Sequence, residues 1–190
     1  MMRNSIATMA IVMMLVTGTA VGAVKIGEKA PGFKAVGTDG KEYSLEKISK
    51  SADLVIVCFT CNQCPVAKAY EDRFVEFNRK YAEKKVKFIA LNCNNGTENL
   101  EVMRERAEEK DFNFVYAFDK TGDAAREFGA RATPELFVIQ DGRVVYHGSF
   151  DDKMKDPSKS YLVDAVDALL AGKTPEITST KPFGCSIKLK

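Results

Sequence analysis

The spacing of apolar positions along this chain changes period several times, and each change predicts an element. Residues 53–60 are almost continuously apolar, as in a strand buried on both faces of a sheet. From Pro65 the period becomes helical. Val66, Ala69, Tyr70, Phe74, Phe77 and Tyr81 fall on one face of a helix predicted over 65–84. Proline is tolerated at its first position because that amide would lack a partner anyway. Residues 86–92 read as a second buried strand, 97–110 as a charged and exposed helix, 114–118 as a short strand, and 122–128 as a small helix closed by Gly129. The runs 135–140 and 144–150 flank Asp141-Gly142 and predict an antiparallel hairpin, followed by an amphipathic helix over 160–170 that ends at Gly172. Ahead of all these, 33–36 and 42–43 flank the turn Thr38-Asp39-Gly40-Lys41, an N-terminal β-hairpin, and Ser44 caps a short helix. The order, hairpin then β-α-β-α-β-α-β-β-α, predicts an α/β fold with a central mixed sheet and helices on both faces.

Composition narrows the function classes. A chain of 190 residues is most simply one domain with a full core. The formal charge is only +2, with no basic patch interleaved with aromatics, which argues against nucleic acid as a partner. The N-terminus has a different character. Arg3, the apolar stretch from Ile6 to Val16, and the small residues Val21-Gly22-Ala23 read as a secretory signal peptide over 1–23, with an exported domain over 24–172. As a membrane anchor the stretch is short and diluted by Thr17, Gly18 and Thr19. Residues 173–190 form a polar tail with Pro175, Pro182 and Cys185. Export to a periplasmic or extracellular compartment would let disulfides persist. The five cysteines, Cys58, Cys61, Cys64, Cys93 and Cys185, are an odd number, so at least one is unpaired or pairs between molecules.

Cys61 and Cys64 form a Cys-x-x-Cys pair at the strand-to-helix junction. There the unpaired N–H groups of a helix start can lower a thiol pKa from about 8.5 to roughly 3.5–7.5, and one turn brings the two sulfurs within bonding reach. The plainer reading is a structural disulfide or two buried thiols. Cys58 extends the spacing to Cys-x2-Cys-x2-Cys, superficially an iron–sulfur run, but it falls inside an apolar strand where cysteine serves as a small hydrophobe. A copper-binding module would add a histidine, and the only one, His147, reads as a surface strand residue. Cys93 follows the second core strand and is expected buried or idle. Cys185 is either a third redox thiol folding back from the tail, a partner for Cys93, or a thiol without a role.

The Cys-x-x-Cys opening the first major helix, together with Thr133-Pro134 before a core strand, resembles the thioredoxin superfamily. More narrowly, three segments resemble exported thioredoxin-like proteins of the peroxiredoxin-related alkyl hydroperoxide reductase and redoxin group. These are Ile26-Gly27-Glu28-Lys29-Ala30-Pro31-Gly32-Phe33, the run from Cys61 to Arg73, and the run from Ala132 to Ile139. The resemblance implies a thioredoxin fold and a thiol–disulfide oxidoreductase with Cys61 as nucleophile and Cys64 as resolving thiol. It implies a cis Pro134 that leaves the Thr133 backbone open to a substrate strand. It implies no cofactor, only protein disulfides or dithiols and an electron donor as partners. Thr60 stands where thioredoxins carry Trp, and Val55 where they bury an Asp. Peroxidase chemistry is the alternative. Its upstream Thr is missing from the local pattern, and Arg131 is the accessory candidate for its Arg. A metal module and a non-catalytic binding domain are further alternatives.

Overall fold

A computed structural model describes residues 22–189. The signal-peptide expectation for 1–23 therefore falls almost wholly outside the described residues, among which no helix is long and apolar enough to cross a membrane.

The chain begins with the hairpin β1 (Lys34–Gly37) and β2 (Glu42–Ser44), then α1 (Leu45–Ser49). There follow β3 (Leu54–Thr60), α2 (Pro65–Lys80), β4 (Val86–Asn92), α3 (Leu100–Glu109), β5 (Val115–Phe118) and α4 (Asp123–Phe128). The remainder is β6 (Ala132–Thr133), β7 (Glu135–Gln140), β8 (Arg143–Gly148), α5 (Tyr161–Leu170) and β9 (Cys185–Ser186). A seven-stranded sheet runs β2-β1-β5-β4-β3-β7-β8, while β6 and β9 form a separate pair. β3, β4 and β5 are parallel neighbours, and the flanking pairs are antiparallel. This is the mixed α/β sheet with an N-terminal hairpin that the pattern predicts.

Every residue of β3 is buried, and its side chains alternate between two cores. Leu54, Ile56 and Cys58 pack with Tyr70, Phe74 and Phe77 of α2 and with Leu162 and Val166 of α5. Val55, Val57 and Phe59 pack on the other face with Ala125 and Phe128 of α4. That double burial fixes the C-terminal end of β3, and hence the start of α2, between two rigid layers.

The structure corrects several expectations. α2 stops at Lys80, and Ala67 rather than Ala69 faces the core, because Tyr81 serves as the C-cap and the buried face runs Ala67, Tyr70, Glu71, Phe74. α3 begins later than expected because the Asn99 side chain accepts the Glu101 and Val102 N–H groups and caps it. The tail is laid along the domain. Thr180 N–H donates to the His147 carbonyl and His147 N–H to Thr178 at 3.0 Å each, after which the chain turns to form β9. Gly148 makes this possible, since a Cβ there would lie 2.1 Å from Thr180 Oγ1.

Candidate active site

The carboxyl ends of parallel strands are where α/β folds collect functional groups, and β3 and β4 deliver the cysteines there. Cys61 follows β3 and is 8% exposed. Its Sγ lies 3.5 Å from Thr133 Oγ1. Cys64 is the N-cap of α2, and its Sγ accepts the Ala67 N–H at 3.4 Å. The helix start therefore directs its free N–H at Cys64, three residues later than the sulfur of Cys61. Across from both, the Thr133-Pro134 peptide bond is cis. The Thr133 carbonyl oxygen is 3.1 Å from Cys64 Sγ.

The disulfide joins Cys64 to Cys185, with Cα atoms 5.8 Å apart across 121 residues of sequence. Cys61 remains a free thiol, as do the buried Cys58 and Cys93. A Cys93–Cys185 bond, one of the sequence alternatives, is thereby replaced. The tail reaches this position as a strand, because β9 pairs antiparallel with β6, Thr133 opposite Cys185. Ile187 N–H donates to the Arg131 carbonyl at 2.9 Å, and Thr133 Oγ1 to the Cys185 carbonyl at 3.4 Å. Between the tail and the Cys-x-x-Cys turn lies a cavity of about 230 Å³, with Cys61, Cys64 and Cys93 on one side and residues 185–188 on the other.

Two buried carboxylates hold the site. Glu98, 6% exposed, accepts the main-chain N–H groups of Asn62 at 2.9 Å and Gln63 at 3.1 Å, the two residues between the cysteines. It also accepts the Asn92 amide at 2.5 Å and the Asn94 amide at 3.2 Å. Asn92 donates as well to the Tyr116 hydroxyl, which donates to Asn62 Oδ1 at 2.6 Å. Glu135, 1% exposed, accepts the N–H groups of Arg131 and Ala132 at 2.7 and 2.9 Å and meets His147 Nε2 at 2.6 Å. It fixes the segment leading into Pro134.

These surroundings reverse the expected electrostatics of Cys61. Burial pushes its thiol above the ordinary value, and the Glu98 carboxylate adds to this. The Thr133 hydroxyl and the N–H groups of Cys64 and Gln63 act in the opposite direction without overcoming burial. Cys58 is raised by its complete burial, then by Glu135, and Cys93 by burial foremost.

Cys61, Cys64, Thr133, Pro134 and Cys185 thus converge. Arg131 is exposed and contributes its main chain, and the only cation lining the cavity, among the described residues, is Lys188. His147 is no surface residue. It is stacked on Phe137 at 4.3 Å between ring centroids and bound to Glu135. Cys58 lies within β3, in the core shared with α2 and α5 and apart from the cluster of Cys61 and Cys64, so the three do not form a ligand set. Among the described residues no group of three or more His, Cys, Asp or Glu could hold a metal ion. Sequence reasoning missed Glu98 and Glu135. A lone charge opening the apolar strand after Thr133-Pro134 was a usable sign of the second, whereas Glu98 reads as an ordinary acidic residue near a helix start.

Comparison with known proteins agrees with the fold. An uncharacterized conserved protein from Geobacillus kaustophilus is 31% identical, with a TM-score of 0.82 over 87% of this chain and 93% of that one. A hypothetical protein from Sinorhizobium meliloti is 28% identical, with a TM-score of 0.82 over 89% of this chain and 97% of that one. The thioredoxin domain of a thiol-disulfide oxidoreductase from Bacteroides vulgatus shares the fold at 15% identity, with a TM-score of 0.58 over 66% of this chain and 89% of that one. Comparison with curated proteins finds no match. The profile of the AhpC/TSA family matches residues 26–147. With its thioredoxin-fold sheet and its thiols gathered at the cis-proline, the chain belongs to the AhpC/TSA family and is a thiol-based oxidoreductase.

Proposed function

We propose that the protein is an exported thiol–disulfide oxidoreductase that acts on protein disulfides, with Cys61 as nucleophile and Cys64 as resolving thiol. The observation that carries this reading is the pairing of a free Cys61 thiol, beside the Thr133-Pro134 edge, with a Cys64 sulfur already engaged in a disulfide. In the forward reaction the Cys61 thiolate attacks one sulfur of a substrate disulfide, forming a mixed disulfide and releasing one substrate thiolate, which takes up a proton. Cys64 then attacks Cys61 Sγ, the second substrate thiol leaves, and the pair is oxidised to Cys61–Cys64. The Ala67 N–H at Cys64 Sγ supports the thiolate that this second step requires. Thr133 supplies a strand edge for the substrate main chain, the same edge that β9 uses. An electron donor bearing a dithiol closes the cycle.

The test is trapping. Cys64→Ser leaves the mixed disulfide unresolved, so the reduced variant mixed with a disulfide-bonded protein yields a covalent adduct through Cys61. No adduct, or an equal yield from Cys61→Ser, contradicts the assignment. Peroxidase activity is the second reading, favoured by membership in the AhpC/TSA family. Against it, the cavity at Cys61 lacks an arginine to stabilise a peroxide oxygen among the described residues.

A further inference from the structure

We propose that Cys185 is a third catalytic cysteine, which takes the disulfide over from the Cys61–Cys64 pair and presents it to the external dithiol that reduces the protein. The proposal rests on the reading of Cys61 and Cys64 given above and adds to it a step and a residue.

Three independent observations carry it. The first is the bond itself, made by the resolving cysteine to the tail while the nucleophile stays a thiol. The second is that the tail has a built seat. β9 completes a two-stranded ladder on Thr133, and Ile187 N–H and Thr133 Oγ1 extend the hydrogen bonding to either side. At Gly184 the main chain passes so close that a Cβ would stand 2.0 Å from the Thr133 carbonyl oxygen and 3.2 Å from Pro134 N. Only glycine permits that approach, and it places Cys185 on Cys64. The third is access. Cys64 is 2% exposed, whereas Cys185 is half-buried at the rim of the cavity, so an incoming thiol reaches the bond from the Cys185 side.

The chemistry balances without an added oxidant. Once turnover has formed Cys61–Cys64, Cys185, having lost its proton to water, attacks Cys64 Sγ. The Cys64–Cys185 bond forms, the Cys61–Cys64 bond breaks, and Cys61 leaves as a thiolate that regains a proton. One disulfide replaces another, and nothing is oxidised or reduced overall. A dithiol donor then attacks Cys185 Sγ and Cys64 departs as a thiolate, supported by the Ala67 N–H. The donor's second thiol attacks its first sulfur, releasing Cys185 and leaving the donor oxidised. While the tail is bound, β9 occupies the Thr133 edge, so the next substrate strand docks only after this reduction.

The experiment uses the fully reduced protein mixed with disulfide-bonded insulin. Samples are acid-quenched over time and alkylated, and their disulfides are located by peptide mass mapping. In the wild type, Cys61–Cys64 should rise first and give way to Cys64–Cys185, with Cys61 alkylated. Cys185→Ser should stop at Cys61–Cys64 and be re-reduced by a dithiol at least about tenfold more slowly, because the exposed sulfur is missing. Gly184→Val, which alters only the seat, should slow the migration by about tenfold or more while leaving the first phase unchanged. The proposal is overturned if the wild type ends as Cys61–Cys64 with Cys185 alkylated, or if Cys185→Ser is re-reduced at the wild-type rate. It is also overturned if Gly184→Val migrates as fast as the wild type. Failure of the underlying reading looks different, because Cys61→Ser would then reduce the insulin disulfides as fast as the wild type whatever the tail does.

Discussion

Replacing Glu98 tests how the Cys-x-x-Cys turn is held. Its carboxylate is the acceptor for four donors, the Asn62 and Gln63 N–H groups and the Asn92 and Asn94 amides. A hydrogen bond to a charged group contributes about 1.5–3 kcal/mol, and a donor left buried without a partner costs about 1–3 kcal/mol. Not all four losses count in full. Asn62, Gln63 and Asn94 are partly exposed and can turn to water, and Asn92, fully buried, keeps the Tyr116 hydroxyl. Glu98→Ala should therefore cost about 2–4 kcal/mol, read as a drop in the urea midpoint at unchanged slope. Glu98→Gln keeps the shape and one acceptor oxygen but turns an NH2 toward some of the donors, and should cost about 1–2 kcal/mol. It also removes a negative charge beside Cys61. The carboxylate disfavours the thiolate, so the midpoint of the pH dependence of Cys61 alkylation should move down in Glu98→Gln. A cost for Glu98→Ala below about 0.5 kcal/mol, or a midpoint for Glu98→Gln that stays or rises, would refute this account of the turn.

Other substitutions probe the frame. Asp151→Asn weakens the buried carboxylate that Tyr70 and Arg73 both donate to, and should cost about 2–4 kcal/mol in denaturant unfolding. Phe74→Ala empties a site, 2% exposed, among Phe88, Phe114 and Phe150, and should cost about 3–5 kcal/mol. Because burial raises the Cys58 and Cys93 thiols in the folded chain, their contribution to stability is complete below the unfolded thiol pKa of about 8.5. It is then lost as pH rises through and beyond that value, since the unfolded chain ionises first. The urea midpoint of the reduced protein should fall between neutral and alkaline pH, and less steeply in Cys58→Val. Equal slopes in the two proteins would contradict the argument.

The long elements were legible because their burial repeats. β3 is buried at every position and apolar at all but Thr60 since both faces are covered, and α2 carries Tyr70, Phe74 and Phe77 at helical spacing. The Cys-x-x-Cys turn and Thr133-Pro134 were legible as motifs, since each needs particular residue types at one place. What escaped lacks periodicity. β6 and β9 have two residues each, too short to show alternation, and their pairing joins segments more than fifty positions apart in the chain. The polar composition of 173–190 predicted a polar tail and no strand, yet its main-chain hydrogen bonds to His147 and Arg131 depend little on side-chain polarity. Spacing could place Cys61 near a helix start. It could not show that Cys64 takes the helix N–H or that Glu98 occupies those of Asn62 and Gln63.

The most direct test of the central claim is a stopped-flow comparison of the fully reduced protein with a protein disulfide and with hydrogen peroxide, following loss of the Cys61 thiol by rapid quench and alkylation. Thiol–disulfide exchange predicts a disulfide reaction far faster than that of a free thiol at the same pH, lost in Cys61→Ser, and a peroxide reaction no faster than a free thiol. A peroxide rate orders of magnitude above the free thiol, with an unremarkable disulfide rate, would contradict the account and make Cys61 a peroxidatic cysteine.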